Sequence, residues 1–348
     1  MKGDRVATIK EIAKRARVSA ATVSKVLNGK GGASQKTEDT ILQLASELNY
    51  TPNIYAKNLV SGESRTLGVI TEDLTVFNTP EIVDSIDETC EKNGYHYILG
   101  NLRINKRFGR DFSYNLAYQK LVDDIINAML SRQVEGIIYV GCNTNAIPYF
   151  SQNCSIPFVC AYCYSDIASI TSVIYDDTKA AYDAVALLIS QGHRRIGMIC
   201  GHSGSQASAN RRKGYMDALR DNGIAFDEDI VACGDWVWDT GYTLCGKLLA
   251  HGVSAIFAHN DVIATGVLDY CNENGVAVGP KLSLIGFDNR QVSRTSRPKL
   301  STVALPLYEI GRTAASVMLD ILAGRTPPAQ KITVDCHIIE RASSCRIP

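Results

Sequence analysis

No apolar run in the 348 residues approaches the ~18–20 needed to cross a bilayer as a helix, so no spanning segment is expected. The opening Met1-Lys2-Gly3-Asp4-Arg5 has no apolar core behind its charges, which argues against a signal peptide. Neither sign of charge is in excess, with 36 Lys and Arg against 36 Asp and Glu. The P-loop and the G-x-G-x-x-G dinucleotide fingerprint are both missing, as is the G-x-S-x-G elbow of α/β-hydrolases. Cysteine is not scarce, at 11 residues, but no second pair stands at zinc-site spacing from the one C-x-x-C, Cys160-Ala161-Tyr162-Cys163. That motif lies in a run that reads as a buried strand. The expectation is therefore no metal, no cofactor, and reduced thiols in a cytoplasmic protein.

The charge that is present is unevenly spread. Residues 1–65 hold 11 Lys or Arg against 6 Asp or Glu, and the remainder is acidic by the same margin. A basic head on an acidic body suits a nucleic-acid binder joined to a second function, although a solvated helix surface could carry the same excess. The length predicts two or three domains, and 45% apolar with 21% charged residues is ordinary for a globular chain.

The head reads as three short helices. Thr8-Ile9-Lys10-Glu11 has the form of a capping box, in which hydroxyl and carboxylate each satisfy an amide of the first turn. Ile9, Ile12, Ala13 and Ala16 share one face. After the break at Arg17-Val18, Ser19 caps a second helix running to about Leu27, with Val23, Val26 and Leu27 inside. A turn comes next at 28–32. The third helix spans about Ser34–Leu48, with Ile41, Leu42, Ala45 and Leu48 as its stripe. The pattern is that of a helix-turn-helix, although generic helical hairpins share it. Residues 50–60 join head to body; a helix of about eight residues begun by Pro52 is too short to stand alone in water and would order with a partner.

From Arg65 the pattern becomes strands alternating with helices. The strands are Thr66–Thr71, Tyr95–Leu99, Gly136–Val140, Pro157–Ala161, Arg195–Cys200, Ala255–Ala258 and Leu282–Phe287, with helix-length stretches such as Pro80–Asn93 and Thr178–Gln191 between them. This rhythm predicts an α/β body of parallel sheets covered on both faces, in two doubly wound lobes with a cleft at the strand carboxyl ends.

Thr8–Ser19 followed by Thr22-Val23-Ser24-Lys25-Val26-Leu27-Asn28 closely resembles the DNA-binding head of the lactose-repressor (LacI/GalR) family. Tyr50-Thr51-Pro52-Asn53 and Ala56-x-x-Leu59 look like that family's hinge helix. Gly192-His193-Arg194-Arg195-Ile196-Gly197, Asn260-Asp261 and Ile285-Gly286-Phe287-Asp288 match its sensor domain, whose lobes are periplasmic-binding-protein-like. The resemblance runs from residue 5 to about 343. It implies a head at 1–51, a hinge and linker at 52–64, and an effector-binding and dimerisation domain at 65–348. Lobe 1 is expected at about 65–165 and 292–320, and lobe 2 at about 166–291 and 321–343.

The implied function is a transcriptional regulator, most simply a repressor, binding a pseudo-palindromic operator as a homodimer. The resemblance places Ala20, Ala21 and Lys25 among the base-reading side chains; Lys25 can donate to guanine, and the alanines offer methyl contacts. Thr8, Ser19, Thr22, Ser24, Asn28, Ser34 and Thr37 form the phosphate-facing set, with helix capping as the alternative or additional role of Thr8 and Ser19. Tyr50, Asn53, Ala56 and Leu59 complete the DNA-binding set. Leu59 is expected to wedge into the minor groove at the operator centre, where the alternative is packing against its dimer mate.

The resemblance also implies an effector site. Arg211 holds the place of the family's ligand-gripping arginine, Asp288 that of a carboxylate accepting from ligand hydroxyls, and Trp236 that of an aromatic covering a sugar face. Asn260 is a further contact, with Phe77 and Asp176 on the facing wall. The effector is expected to be a sugar or sugar derivative that shifts operator affinity, without membrane involvement, in a cytoplasmic, nucleoid-associated protein. Two segments depart from the family pattern. Residues 105–119 look like an insertion before a helix at Leu121–Ser131, open to readings as dimer contact, cleft overhang or passive loop; Phe77-Asn78-Thr79-Pro80 replaces the usual aromatic pair. No C-terminal leucine heptads for a tetramerising helix are found. An enzyme is the rival reading, on Gly201-His202-Ser203-Gly204-Ser205, but adjacent side chains in an extended stretch point to opposite faces. A ligand-binding protein for transport is a second rival, opposed by the basic head.

Overall fold

Thr8 opens the first helix by accepting a hydrogen bond from the Glu11 amide at 3.3 Å in a computed structural model. The structure describes residues 8–27, 29, 31–48, 50, 63–109, 114–147 and 155–347. Chain contacts divide the molecule at Ser64 into a head unit and a body unit.

In the head, α1 is Ile9–Ala16, α2 Ala20–Leu27 and α3 Gln35–Glu47. The capping box is half made: Glu11 turns its carboxylate to Arg15 at 3.4 Å, an i,i+4 pair, while Thr8 does the capping. Arg17 ends α1 with φ 55°, in the left-handed region. Ser19 Oγ accepts from the Thr22 amide at 3.0 Å at the start of α2. Ile12, Ala13, Val23, Val26, Ile41 and Ala45 form the buried core. Leu42, expected in the stripe of α3, is instead exposed. Positions 41, 44, 45 and 48 make the 3.6-residue face, and Leu42 lies about 100° round from Ile41.

Among the described residues the body has two six-stranded sheets. The first has β1 (Thr66–Thr71), β2 (His96–Asn101), β3 (Gly136–Val140), β4 (Phe158–Ala161), β5 (Thr171–Tyr175) and β11 (Lys331–Val334), in the order β2-β1-β3-β4-β5-β11, all parallel. The second has β6 (Ile196–Cys200), β7 (Val231–Cys233), β8 (Ala255–Ala258), β9 (Ser283–Asp288), β10 (Ser301–Ala304) and β12 (His337–Ile339), in the order β7-β6-β8-β9-β10-β12, with β12 antiparallel to β10. Interior strands such as Gly136-Ile137-Ile138-Tyr139-Val140 are buried throughout, as sheets covered by helices on both faces require.

The expected lobe boundaries need correction. β5 pairs with β4 in the first sheet, so 166–175 belong to lobe 1 and not lobe 2. β10 pairs with β9, which moves 292–304 into lobe 2, and β11 pairs with β5, which moves 331–334 into lobe 1. The chain therefore changes lobe after Tyr175, Ala304 and Val334. Sequence spacing could not reveal this, because sheet membership is set by pairing and the short strands β5, β10 and β11 carry weak individual patterns.

Helices α4 (Thr79–Lys92), α6 (Leu116–Leu130) and α12 (Leu307–Leu322) belong to lobe 1, with α5 the short helix Ile104–Phe108. Helices α7 (Asp177–Ser190), α8 (Gln206–Asp221), α9 (Trp238–Ala250), α10 (Asp261–Glu273) and the short α11 (Gln291–Thr295) belong to lobe 2. Helix α6 starts at Leu116, five residues earlier than expected, because Asn115 caps it through the Tyr118 amide at 3.0 Å. Part of the segment read as an insertion is thus the first turn of this helix.

Candidate functional site

On α2, Ala20, Ala21 and Lys25 are exposed, opposite the buried Val23 and Val26. Two small side chains beside one cation leave an open helix surface able to approach base edges closely. Thr8, Ser19 and Ser34 are exposed at helix starts, and Ser34 Oγ lies 3.0 Å from Thr37 Oγ1. Thr22 and Ser24 are half-buried, and Tyr50 packs partly against the head core. Asn28, Asn53, Ala56 and Leu59 lie outside the described residues, as does the expected hinge helix.

In the body, the strand carboxyl ends of the two sheets gather an unusual set of buried charges. Arg211, in the first half of α8, is 4% exposed. Its Nε donates to Asp177 Oδ1 at 2.7 Å, its Nη2 to the Tyr175 hydroxyl at 3.1 Å, and its Nη1 to the His259 carbonyl. The guanidinium lies 3.7 Å from the centroid of the Phe287 ring and 5.5 Å from that of Trp236. Burial opposes its charge, but Asp177, Tyr175 and Asp288 outweigh that and raise its affinity for the proton. Asp177 itself accepts from Tyr175 at 3.0 Å and, from lobe 1, from Thr144 Oγ1 at 3.0 Å.

Asp288 ends β9 at φ 102°, a conformation that costs an L-residue free energy and turns the carboxylate aside. It accepts from Arg290 Nε at 2.9 Å and stands 3.9 Å from Arg211 Nη1. Burial raises its pKa against the lowering effect of Arg290 and Arg211. Beside it, Asp261 accepts from Thr302 Oγ1 and from the Arg290 amide, each at 2.6 Å. Burial, with Asp288 adjacent, pushes the Asp261 carboxyl up to about 8.

Trp236 is half-buried against Gly201, where a Cβ would stand 2.4 Å from the indole, so only glycine admits the ring there. Its indole stacks on His259 at 6.3 Å between centroids. His259 is fully buried, and both ring nitrogens lack a hydrogen-bond partner among the described residues. Burial and the nearby Arg211 hold it neutral by lowering its pKa well below the usual value.

Of the expected effector residues, Arg211, Trp236, Asn260 and Asp288 come together at the carboxyl edge of the second sheet. Asn260 is committed to structure: its Oδ1 caps α10 through the Ile263 amide at 2.7 Å, and its Nδ2 holds the Trp236 carbonyl at 3.3 Å. Phe77 reaches the site from lobe 1, with the Arg290 guanidinium 3.9 Å from its ring centroid. Asp176 does not join the set. It is exposed and caps α7 by accepting from the Thr178 and Lys179 amides at 2.9 and 3.0 Å, and its neighbour Asp177 faces Arg211. Sequence reading also passed over Tyr175, Thr144, His259, Asp261, Phe287 and Arg290.

Of the 105–119 segment, Asn105 and Tyr114 are fastened to the carboxyl edge of the first sheet. Glu72, fully buried after β1, accepts from Tyr114 at 3.2 Å, Tyr139 at 3.0 Å and the Cys142 amide at 2.7 Å. The Asn105 amide donates to Asp73 at 3.2 Å. Of the hydrolase reading nothing remains: His202 and Ser203 are exposed, and His202 Nδ1 accepts from the Gly204 amide at 3.2 Å within their own turn. Cys160 and Cys163 are buried in lobe 1, and among the described residues no His, Cys, Asp and Glu cluster could hold a metal.

A helix-turn-helix head on a two-lobed α/β body, with buried charges gathered at the strand carboxyl ends, is the architecture of ligand-responsive transcription regulators. Residues 8–53 match the family of bacterial regulatory proteins called lacI, and residues 168–344 match the periplasmic binding protein-like domain. The chain is 32% identical to the HTH-type transcriptional repressor CytR of Escherichia coli K12, over 100% of this chain and 99% of that one. It is 32% identical to catabolite control protein A of Priestia megaterium, over 96% of each. The Lac repressor dimer bound to operator and the anti-inducer ONPF superposes with a TM-score of 0.78 at 23% identity, covering 98% of this chain and 100% of that one. The chain belongs to the lacI family, and is a transcriptional repressor of that type with a ligand-binding domain, not an enzyme.

Proposed function

We propose that this repressor binds a pseudo-palindromic operator as a cytoplasmic, nucleoid-associated homodimer and that an uncharged polyhydroxylated effector, a sugar or sugar derivative, sets its affinity. The observation that carries the reading is the composition of the cleft. Arg211 with Asp177, and Arg290 with Asp288, compensate one another, and His259 is neutral, so the site presents no net charge for an ionic ligand to meet. The unsatisfied imidazole beside Trp236 offers one donor and one acceptor next to an aromatic face, which suits a hydroxyl-bearing ring. Homodimerisation and operator binding take support from the Lac repressor dimer on its operator.

The DNA-binding set is Thr8, Ser19, Ala20, Ala21, Thr22, Ser24, Lys25, Asn28, Ser34, Thr37, Tyr50, Asn53, Ala56 and Leu59. Ligand acts by altering the relation of the two lobes and so the pairing of the hinge segments. Fluorescence anisotropy with DNA selected from a random pool, against a scrambled duplex and over several salt concentrations, tests the operator reading. Sequence-selective binding with a steep salt slope is expected. Binding indifferent to sequence, with and without small-molecule extract, would refute it.

A further inference from the structure

Cys200 and Cys233 are the last residues of β6 and β7 and stand opposite one another in the parallel register. Register partners on neighbouring strands lie ~5 Å apart with side chains on the same face, inside the ~4.4–6.8 Å Cα window of a disulfide. Burial, and after it the neighbouring Cys233 thiol, push the Cys200 thiol up. Cys233 is exposed, while Cys200 is 1% exposed behind it. The Arg212 guanidinium acts on both thiols and is itself held by Glu228 through bonds of 2.7 and 2.9 Å. An accessible thiol with a buried thiol in register beside it is the arrangement in which oxidation of the outer sulfur can end in a disulfide.

A second pair shows what is special here. Cys245 and Cys271 have their sulfurs 3.8 Å apart, but both are fully buried between α9 and α10, out of reach of a dissolved oxidant. The exposed pair also differs in its chain neighbours. Cys200 precedes Gly201, the residue beneath the Trp236 indole, and Cys233 leads through Gly234 and Asp235 into Trp236 itself.

We propose that Cys200 and Cys233 are a hydroperoxide-oxidisable dithiol whose disulfide clamps the two segments that seat Trp236 in the effector cleft. Cys233 thiolate attacks the peroxide; its S–O bond forms as the O–O bond breaks, and the departing oxygen takes a proton and leaves as water or alcohol. Cys200 then attacks the sulfenic sulfur, the S–S bond forms and the S–O bond breaks, releasing water. Two electrons pass from the thiols to the peroxide. The regulatory meaning rests on the proposed effector reading, whereas the cross-link does not.

The test uses the full chain without ligand. After hydrogen peroxide treatment and alkylation by N-ethylmaleimide, non-reducing peptide mapping is expected to show Cys200 joined to Cys233, reversed by dithiothreitol, with Cys245 and Cys271 still alkylated after denaturation. Cys200→Ala should instead leave a Cys233 sulfenic acid that dimedone traps. Both tryptophans, Trp236 and Trp238, lie within five residues of Cys233, so emission reports this loop alone. Emission should change at the rate of cross-linking and stay constant in Cys233→Ser. Cys233 overoxidised beside a free Cys200, or no reaction at either thiol, would overturn the dithiol. A cross-link without an emission change would overturn the clamp. Effector binding enters none of these readouts, so failure of the effector reading would show separately.

Discussion

The Arg290 guanidinium lies 3.9 Å from the centroid of the Phe77 ring, joining lobe 2 to lobe 1. Arg290 is at the same time 2.9 Å from Asp288, so one side chain ties the lobe contact to the carboxylate of the site. A ligand that draws on Asp288 must disturb the contact with Phe77, and that is a physical route from occupancy to lobe arrangement. A cation–π pair of this kind is worth about 0.5–2 kcal/mol. Phe77→Ala removes a contact that binding must break, and is therefore expected to tighten effector binding roughly two- to thirtyfold by calorimetry.

The two adjacent aspartates should respond very differently to replacement. Asp177→Ala leaves the buried Arg211 without its main partner and is expected to cost about 3–5 kcal/mol of stability in denaturant melts. Asp176→Ala removes a helix cap and should cost about 1 kcal/mol. Equal losses would mean that the assignment of the two carboxylates is wrong.

Stability should carry a pH signature from Asp261. Its folded value of about 8 lies above its ordinary 3.8, so the native state holds a proton that the unfolded chain has released. The stabilisation is complete below about pH 4 and is lost as pH rises toward 8, with a slope of at most about 1.4 kcal/mol per pH unit. Asp288, Arg290 and Arg341 are the charged groups acting on it. His259 works in the opposite sense at the acid end, since its depressed pKa makes folding lose stability as pH falls below its ordinary value. In Asp261→Asn, thermal melts between pH 5 and 8 should vary less with pH than in the unaltered chain.

Much of the architecture could be read from the chain because its signals are local. The capping serines and threonines, the apolar faces of α1 and α2 and the all-apolar runs of β3 and β8 each arise from a few neighbouring residues. The site was legible in part. Arg211, Trp236 and Asp288 stand next to recognisable motifs, but Asp177, His259 and Arg290 join the buried cluster through partners from 34 to well over 100 residues away. The lobe crossovers at Tyr175, Ala304 and Val334 were hidden for the same reason, since pairing between distant strands leaves no local trace.

In the head, Lys25 is the one expected base reader on α2 able to donate hydrogen bonds. Lys25→Ala is expected to lower selective DNA affinity by about 1–3 kcal/mol and relax preference at one base pair of each half-site. Leu59→Ala should reduce operator affinity and leave effector binding unchanged. Anisotropy titrations against singly substituted duplexes measure the first effect, and paired DNA and ligand titrations the second.

On the proposed function, occupancy of the Arg211–Asp288 site sets operator affinity. The most direct test is to titrate selected operator DNA with the repressor, with and without a saturating effector found by thermal-shift screening of uncharged sugars and glycosides, in the unaltered chain and in Asp288→Ala. A change of roughly 5- to 150-fold in Kd for the unaltered chain, shrinking to less than about twofold in the variant with effector-free affinity preserved, is the predicted result. Identical operator affinity with and without an effector bound in the cleft would contradict the account.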